Sequence, residues 1–354
     1  MISDDAIFSC PSGRIIKDIK YLDEEFIPEN IYYRNNQIKE IARSITQFLE
    51  YSSSFHLFLY GPPGTGKTTT IKFLFKKLKE ETKRALPIYI NCWKYSRGFA
   101  LLSELASQLN ETLSNMLQFK RNISEAYLYI QRYIKRERIK IIIALDEIDK
   151  LEDEDILYNF IRDNIPLIMI SNNEFALSDF DERIRSSLIY QSIEFKEYSF
   201  EEMMHILRER HKYAFYPDAF PVHFIRVCAS NAKGDARVGI GMMKLAALIA
   251  ERKNKDKVEL EDIRESYKEA KKLKILQILS TLKKEHSILY TIISKNKQMK
   301  ASELYAAYNE VYKKEGGKYL SDRTFRNYMQ DLVEKGLIIA EGDTRWRIYK
   351  LKDI

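Results

Sequence analysis

Cysteine is scarce: Cys10, Cys92 and Cys228 are the only three in 354 residues, far apart and without metal-ligand spacing. That excludes a cysteine metal site and points to reduced thiols in the cytoplasm. No apolar run approaches the ~20 residues that cross a bilayer, so no membrane partner is expected. The opening Met1-Ile2-Ser3-Asp4-Asp5 is acidic, unlike the basic start of a secretory leader. Glycine (12) and proline (8) are sparse beside abundant lysine and glutamate, a weak thermophile signal, and no repeat or low-complexity tract interrupts the chain. What is present is enough apolar material, 45%, to build real cores, over a length that suggests two or three domains of ~150 residues. The net charge of +7 is uneven. Lys271 to Ile354 holds 18 basic and 10 acidic residues, net +8, which leaves −1 on the first 270. Such asymmetry marks a polyanion-binding module joined to a near-neutral one.

The most specific motif is Gly61-Pro62-Pro63-Gly64-Thr65-Gly66-Lys67-Thr68, a complete G-x-x-x-x-G-K-[ST] phosphate loop. It follows the strand-like run His56 to Tyr60 and opens a helical pattern at Thr69. Its glycines let backbone N–H groups turn in around phosphate, and the helix N-terminus adds positive charge. Lys67 then reaches the β- and γ-phosphates and Thr68 holds Mg²⁺, with Thr69 completing the set that binds ATP or ADP.

Further elements follow from hydrophobic period. Arg34 to Tyr51 is a helix; 87–92, 139–145, 166–170 and 188–195 are strands; 99–137 is helical. Alternating strands and helices predict an α/β fold with a doubly wound parallel sheet. From Ser199 to about Ala270 the pattern is purely helical. The expected domains are therefore a core over 1–198, a helical lid over 199–272 and a basic module over 273–354. That module reads as helices over 275–294, 301–315 and from Ser321 to Gly336, then a hairpin turning at Glu341-Gly342-Asp343-Thr344, the order of a winged helix-turn-helix.

The run Ile141 to Leu145 ends in Asp146 and Glu147, and parallel sheets bind ligands at their carboxyl ends. Asp146 would complete the Mg²⁺ shell beside Thr68, and Glu147 would polarise water. Asn172, at the end of the next strand, would orient that water. Phosphoryl transfer also needs cations, for which Arg183, Arg185 and the lid residue Arg237 are candidates. In the basic module, Arg323, Thr324, Arg326 and Asn327 start the third helix, where side chains read base edges in the major groove. Arg345 and Arg347 flank Trp346 and share a face suited to clamping backbone or minor groove.

With these motifs in order, the chain resembles the AAA+ ATPases, and among them the archaeal origin-recognition and cell-division-control replication initiators. The resemblance is carried by Gly61 to Thr68, Asp146-Glu147-Ile148-Asp149, Ser171-Asn172-Asn173, Arg183 to Leu188, Gly234-Asp235-Ala236-Arg237 and Leu332 to Ile338. Tyr33-Arg34 is similar to the family's motif at the adenine pocket, followed here by Asn35 where an acidic residue is usual. The resemblance implies an AAA+ core, lid and winged helix, ATP binding with slow, switch-like hydrolysis, and recognition of double-stranded origin DNA. It also implies loading of an MCM-type replicative helicase, paralogous initiators as partners, association with the nucleoid, and a DNA-touching helical insertion within 93–125. The short winged module implies an altered or weaker origin preference. Two other readings share parts of this pattern: a branch-migration motor, and a signalling or defence ATPase whose winged helix is an interaction module.

Overall fold

The computed structural model describes residues 14–117, 122–280, 282–314, 321–342 and 346–352. Cys10, the turn residues Asp343 and Thr344, and Arg345 lie outside them. By contact the chain divides into two units, Met1–Leu260 and Glu261–Ile354.

The first unit alternates helix and strand as the periodicity predicts. In chain order it comprises α1 (Asn35–Tyr51), β1 (His56–Tyr60), α2 (Lys67–Glu81), β2 (Leu86–Asn91), α3 (Gly98–Leu109), α4 (Glu111–Leu117), α5 (Ile123–Glu137), β3 (Ile141–Asp146), α6 (Asp155–Arg162), β4 (Leu167–Ser171), α7 (Glu182–Ser187) and β5 (Gln191–Glu194). The five strands form one parallel sheet in the order β2-β3-β4-β1-β5. Every residue of β3 and β4 is buried, because helices cover both faces and leave no solvent side for polar residues. Side chains alternate between the two layers. Ile143, Leu145 and Met169 join Leu101, Ile130 and Phe160 on one face; Ile142, Ala144 and Ile168 join Ile41, Ile71 and Phe75 on the other.

The expected helical stretch 99–137 contains three helices. Asn110 and Asn122 divide it: the Asn110 carboxamide accepts from the backbone N–H groups of Thr112 and Leu113, and that of Asn122 from Ser124. Asparagine side chains are good helix starts, so Asn110 closes α3 and opens α4, and Asn122 opens α5.

A helical array follows the sheet: α8 (Phe200–Ala214), α9 (His223–Ala232) and α10 (Ala236–Arg252). Ser199 and Glu202 cap α8 reciprocally, and the Asp235 carboxylate caps α10. The lead-in also rests on this array. Glu251 accepts from the backbone of Ile15 and Ile16, the Ala214 carbonyl accepts from Lys17 and Asp18, and Lys244 pairs with Asp23.

Helix α11 (Leu260–Ser280) starts at the last residue of the first unit and runs past residue 272, so the boundary expected there falls inside a continuous helix. The helix expected over 275–294 is broken; α12 (Lys284–Asn296) begins after an extended Lys283. Apolar side chains at helical spacing on both sides, Ile278 and Leu279 before and Leu289 and Ile293 after, enter one core, which is why the period hides the break. Then come β6 (Gln298–Lys300), α13 (Ala301–Lys314), α14 (Asp322–Glu334), β7 (Ile338–Glu341) and β8 (Ile348–Leu351), with the strands antiparallel in the order β6-β8-β7. Ser321 caps α14 as expected, accepting from the backbone of Thr324. Strand β6 is short and largely polar, and the sequence carried no signal for it. Tyr308, Phe325, Met329, Leu332, Leu337 and Ile338 fill the core. Among the described residues no helix is long and apolar enough to cross a membrane.

Phe160 is fully buried on α6, its ring 5.8 Å from that of Tyr127. Phe160→Ala should therefore cost about 3–5 kcal/mol in urea-induced unfolding of the sheet unit. A loss under ~1 kcal/mol would contradict this packing.

Candidate nucleotide site

Because β4 lies between β1 and β3, its end at Ser171 stands between the phosphate loop and the end of β3. Three segments distant in sequence thus meet at one edge of the sheet. The loop itself is tightly wrapped. Gly61, at φ +141°, abuts the Phe195 carbonyl, where a Cβ would come within 2.1 Å. Gly64, at φ +71°, lies against Asp235, with only 1.7 Å from an added Cβ to the carboxylate oxygen. The Gly64 carbonyl also accepts from Ala236 N–H at 3.1 Å, so the first turn of α10 sits directly on the loop.

Lys67 is only 6% exposed, and its ammonium donates to the carbonyls of Gly61 (2.6 Å) and Pro62 (2.9 Å) and to Asn172 Oδ1 (2.9 Å). All three acceptors are neutral oxygens. Burial pulls its pKa from 10.5 down to about 8, with Asp146 opposing and Arg237 assisting. Thr68 Oγ1 donates to Asp146 Oδ2 at 2.6 Å, and Asp146 Oδ1 accepts from Glu147 N–H at 2.9 Å. Glu147 occupies a left-handed turn at φ 54°, and burial, reinforced by Asp146, holds its carboxyl above the usual range. Tyr89 OH also donates to Asp146 Oδ2, at 2.7 Å, and burial pushes that phenol up, so it remains a donor.

These groups face a cleft of about 620 Å³. It is lined by Gly64 to Thr69, Asp146, Glu147 and Asn172 from the core, and by Arg237 and Ile240 from α10. Gly61, Pro62 and Pro63 do not line it and form the back of the loop. Tyr33 and Arg34, expected at the base pocket, are not in the lining either. Tyr33 is 41% exposed and edges His205, whereas Arg34 is buried. Its guanidinium donates to the carbonyls of Thr65 (2.9 Å) and Lys196 (2.6 Å) and lies 3.9 Å from the Tyr198 ring centroid. Arg34 therefore braces the phosphate loop from behind.

The far wall of the cleft is the part the sequence did not reveal. Residues 24–32 with Tyr21, and Ile206, Glu209, Arg210 and Tyr213 from α8, line it. Arg210 donates to the carbonyls of Tyr21 (3.2 Å) and Phe26 (3.3 Å) and sits 4.6 Å from the Phe26 ring centroid; Tyr21 stacks on Tyr213. The lead-in carries no periodicity, so only its aromatic density, Tyr21, Phe26, Tyr32 and Tyr33, was visible in advance. Asn91 also lines the cleft and pairs with Asp146 in the β2–β3 register. Arg183 and Arg185 point elsewhere: both are exposed on α7, with Arg183 held by Asp181 at 3.1 Å.

The donors suit a hard cation. A hydroxyl and a carboxylate lie together, and no described group of three or more His, Cys, Asp or Glu forms a cage of its own. An ion that takes most of its ligands from phosphates and water fits this pattern. The phosphate loop, the carboxylate-tipped β3 and a helical lid bearing Arg237 define an ATPase of the AAA+ class. An AAA-domain model matches residues 52–177, and a Cdc6 AAA+ ATPase-type lid-domain model matches 204–268. The chain belongs to the ORC1-type (Cdc6) family of archaeal DNA replication proteins, origin-recognition initiators that bind nucleotide with a metal ion. It is 30% identical to ORC1-type DNA replication protein 1 of Methanothermobacter thermautotrophicus, over 94% of this chain and 91% of that one. Identity to the Sulfurisphaera tokodaii protein of the same name is 29%, over 100% and 93%. Among solved structures, Aeropyrum pernix ORC1 in complex with DNA has a TM-score of 0.77 at 23% identity, covering 96% of this chain and 94% of that one. Cdc6p of Pyrobaculum aerophilum has 0.64 at 21%, covering 95% and 94%.

The low Lys67 pKa has a signed consequence. Folding disfavours the proton, so the nucleotide-free protein should gain stability as pH rises from about 8 toward 10.5. Nucleotide affinity needs the ammonium and should fall across the same window. Fluorescent-nucleotide titrations from pH 7 to 10 check this; Lys67→Arg should remove the inflection near 8, and an inflection that persists would assign it elsewhere.

Proposed function

We propose that this chain is an ATP-switched initiator that grips Mg²⁺–ATP in the cleft and binds double-stranded origin DNA through its basic carboxyl-terminal module. The convergence of Lys67, Thr68, Asp146 and Asn172 within hydrogen-bond reach supports the first half. In this reading Thr68 and Asp146 hold Mg²⁺, which neutralises charge on the phosphates, and Lys67 leaves its backbone carbonyls for the β- and γ-oxygens. Glu147, with its carboxyl raised by burial, accepts a proton from the attacking water, and Asn172 orients that water. Arg237 on the lid lines the same cleft and would meet the γ-phosphate. Its side chain is half exposed and pairs with Asp235 at 3.4 Å. Arg183 and Arg185, outside their own cleft, suit a cation supplied to a second copy. The aromatic wall of Tyr21, Phe26 and Tyr32 takes the base, and Arg34 acts through the loop it braces.

In the carboxyl-terminal module, three helices and a three-stranded antiparallel sheet support a winged-helix reading. Helix α14 exposes Arg323, Arg326 and Asn327, with Thr324 half-buried, while Phe325, Met329 and Leu332 face the core. This polar face is the natural occupant of a major groove. Arg326 is held by Asp322 at 2.6 Å, an exposed i,i+4 pair weak enough to exchange for phosphate. Trp346 is 70% exposed beside Arg347, in keeping with a clamp on backbone. The reading divides the chain into core (1–198), lid (199–272) and winged module (273–354), and extends to loading of an MCM-type helicase, cooperation with paralogous initiators and a nucleoid location in the cytoplasm.

Two measurements test the halves separately. Glu147→Gln should bind ATP like the parent while phosphate release drops at least ~100-fold, as loss of a general base implies; a matching loss of binding would reassign the residue. Arg323→Ala with Arg326→Ala should leave ATP affinity intact, weaken duplex binding and flatten the log–log salt slope by about 2. Unchanged fluorescence anisotropy with duplex DNA would remove α14 from the interface.

A further inference from the structure

Two side-chain hydroxyls converge on the same oxygen of Asp146, and the site as assembled above uses one of them. Thr68 Oγ1 reaches Oδ2 at 2.6 Å and Tyr89 OH at 2.7 Å, while Oδ1 accepts the backbone N–H of Glu147. Asp146 is 4% exposed, so water does little to orient it. With both hydroxyl protons directed at Oδ2, the carboxylate plane has one low-energy setting. The Thr68 proton is then committed to Asp146, and the Thr68 lone pairs turn toward the cleft, where a cation needs them.

Tyr89 is itself held in place. On its unpaired edge β2 is closed by Gln108 of α3, whose amide accepts from Tyr89 N–H at 3.3 Å and donates to the Tyr89 carbonyl at 2.8 Å. On the cleft side Lys72 Nζ lies 4.9 Å from the phenol ring centroid. A phenol locked at backbone and ring, with its hydroxyl on a buried carboxylate, is built as an outer support rather than as filler.

We propose that Tyr89 is a positioning residue for the divalent cation: its hydroxyl fixes Asp146, and through it Thr68, in the orientation that receives Mg²⁺ with the nucleotide. This rests on the reading of Thr68 and Asp146 as the cation's holders. Outer partners of metal ligands typically change metal affinity 10–100-fold when removed. Tyr89→Phe deletes one oxygen, leaving the ring, the contact with Lys72 and the Gln108 closure in place.

The experiment is a pair of titrations on the full chain with a fluorescent ADP analogue, one in EDTA and one against Mg²⁺ at fixed nucleotide. For Tyr89→Phe we expect nucleotide affinity in EDTA within twofold of the parent and a Mg²⁺ half-saturation raised roughly tenfold. An unchanged half-saturation overturns the proposal. So does an equal loss of nucleotide affinity with and without Mg²⁺, which would mean that the hydroxyl serves the loop or the fold. A parent protein that binds nucleotide identically with and without Mg²⁺ would instead remove the reading of Thr68 and Asp146 on which the proposal stands.

Discussion

The structure of the nucleotide unit turns on a buried ammonium whose partners are neutral. Lys67 is nearly enclosed, and its three donors end on two main-chain carbonyls and a carboxamide. A buried cation without a paired carboxylate is held at a cost, visible in its lowered pKa. A polyphosphate replaces weak neutral acceptors with charged ones at the same spot, so the unliganded arrangement already favours the anion. The surrounding features keep this state from collapsing. Gly61 and Gly64 allow the loop to pass against Phe195 and Asp235, and Arg34 ties the loop to the segment leading into α8.

Strand order then brings the chemistry to that cation. With β4 between β1 and β3, Asn172 meets Lys67, and Asp146 lies within reach of Thr68. Asp146 ends β3, Asn172 follows the end of β4, and Lys67 and Thr68 open α2, so all four meet at the carboxyl edge of the sheet. The lid closes the site from another direction, with Asp235 capping α10 at the point where that helix touches Gly64. One contact thus serves helix stability and cleft geometry together.

Much of this was legible in the chain. The phosphate loop, the carboxylate-tipped strand and Asn172 announce themselves because they sit in short motifs beside fully apolar strands, and the structure brings all three together. Arg237 stood out only as a candidate cation in the purely helical stretch; the structure puts it on the cleft wall, two residues after the Asp235 cap of α10. Less legible were features made by distant backbone. The resemblance implies a base-pocket role for Arg34, and its bonds to carbonyls 31 and 162 residues away are ones that no local pattern encodes. The wall from Tyr21 to Tyr32 has no period of its own and acquires shape from Arg210 and Tyr213. In the second unit, continuous apolar spacing concealed the break before α12, and strand β6 is too short and polar to signal itself. Arg345 lies outside the described residues, so the hairpin side of the proposed clamp stands on Arg347.

The central claim is that one cleft, walled by the phosphate loop, the lead-in and the lid, takes the nucleoside triphosphate. Hydrogen exchange with and without Mg²⁺–ATP tests it most directly. The account predicts protection in three separate peptides at once, 61–69, 21–32 and 235–240, with the sheet interior unchanged. Protection confined to the loop, leaving lead-in and lid untouched, would contradict it.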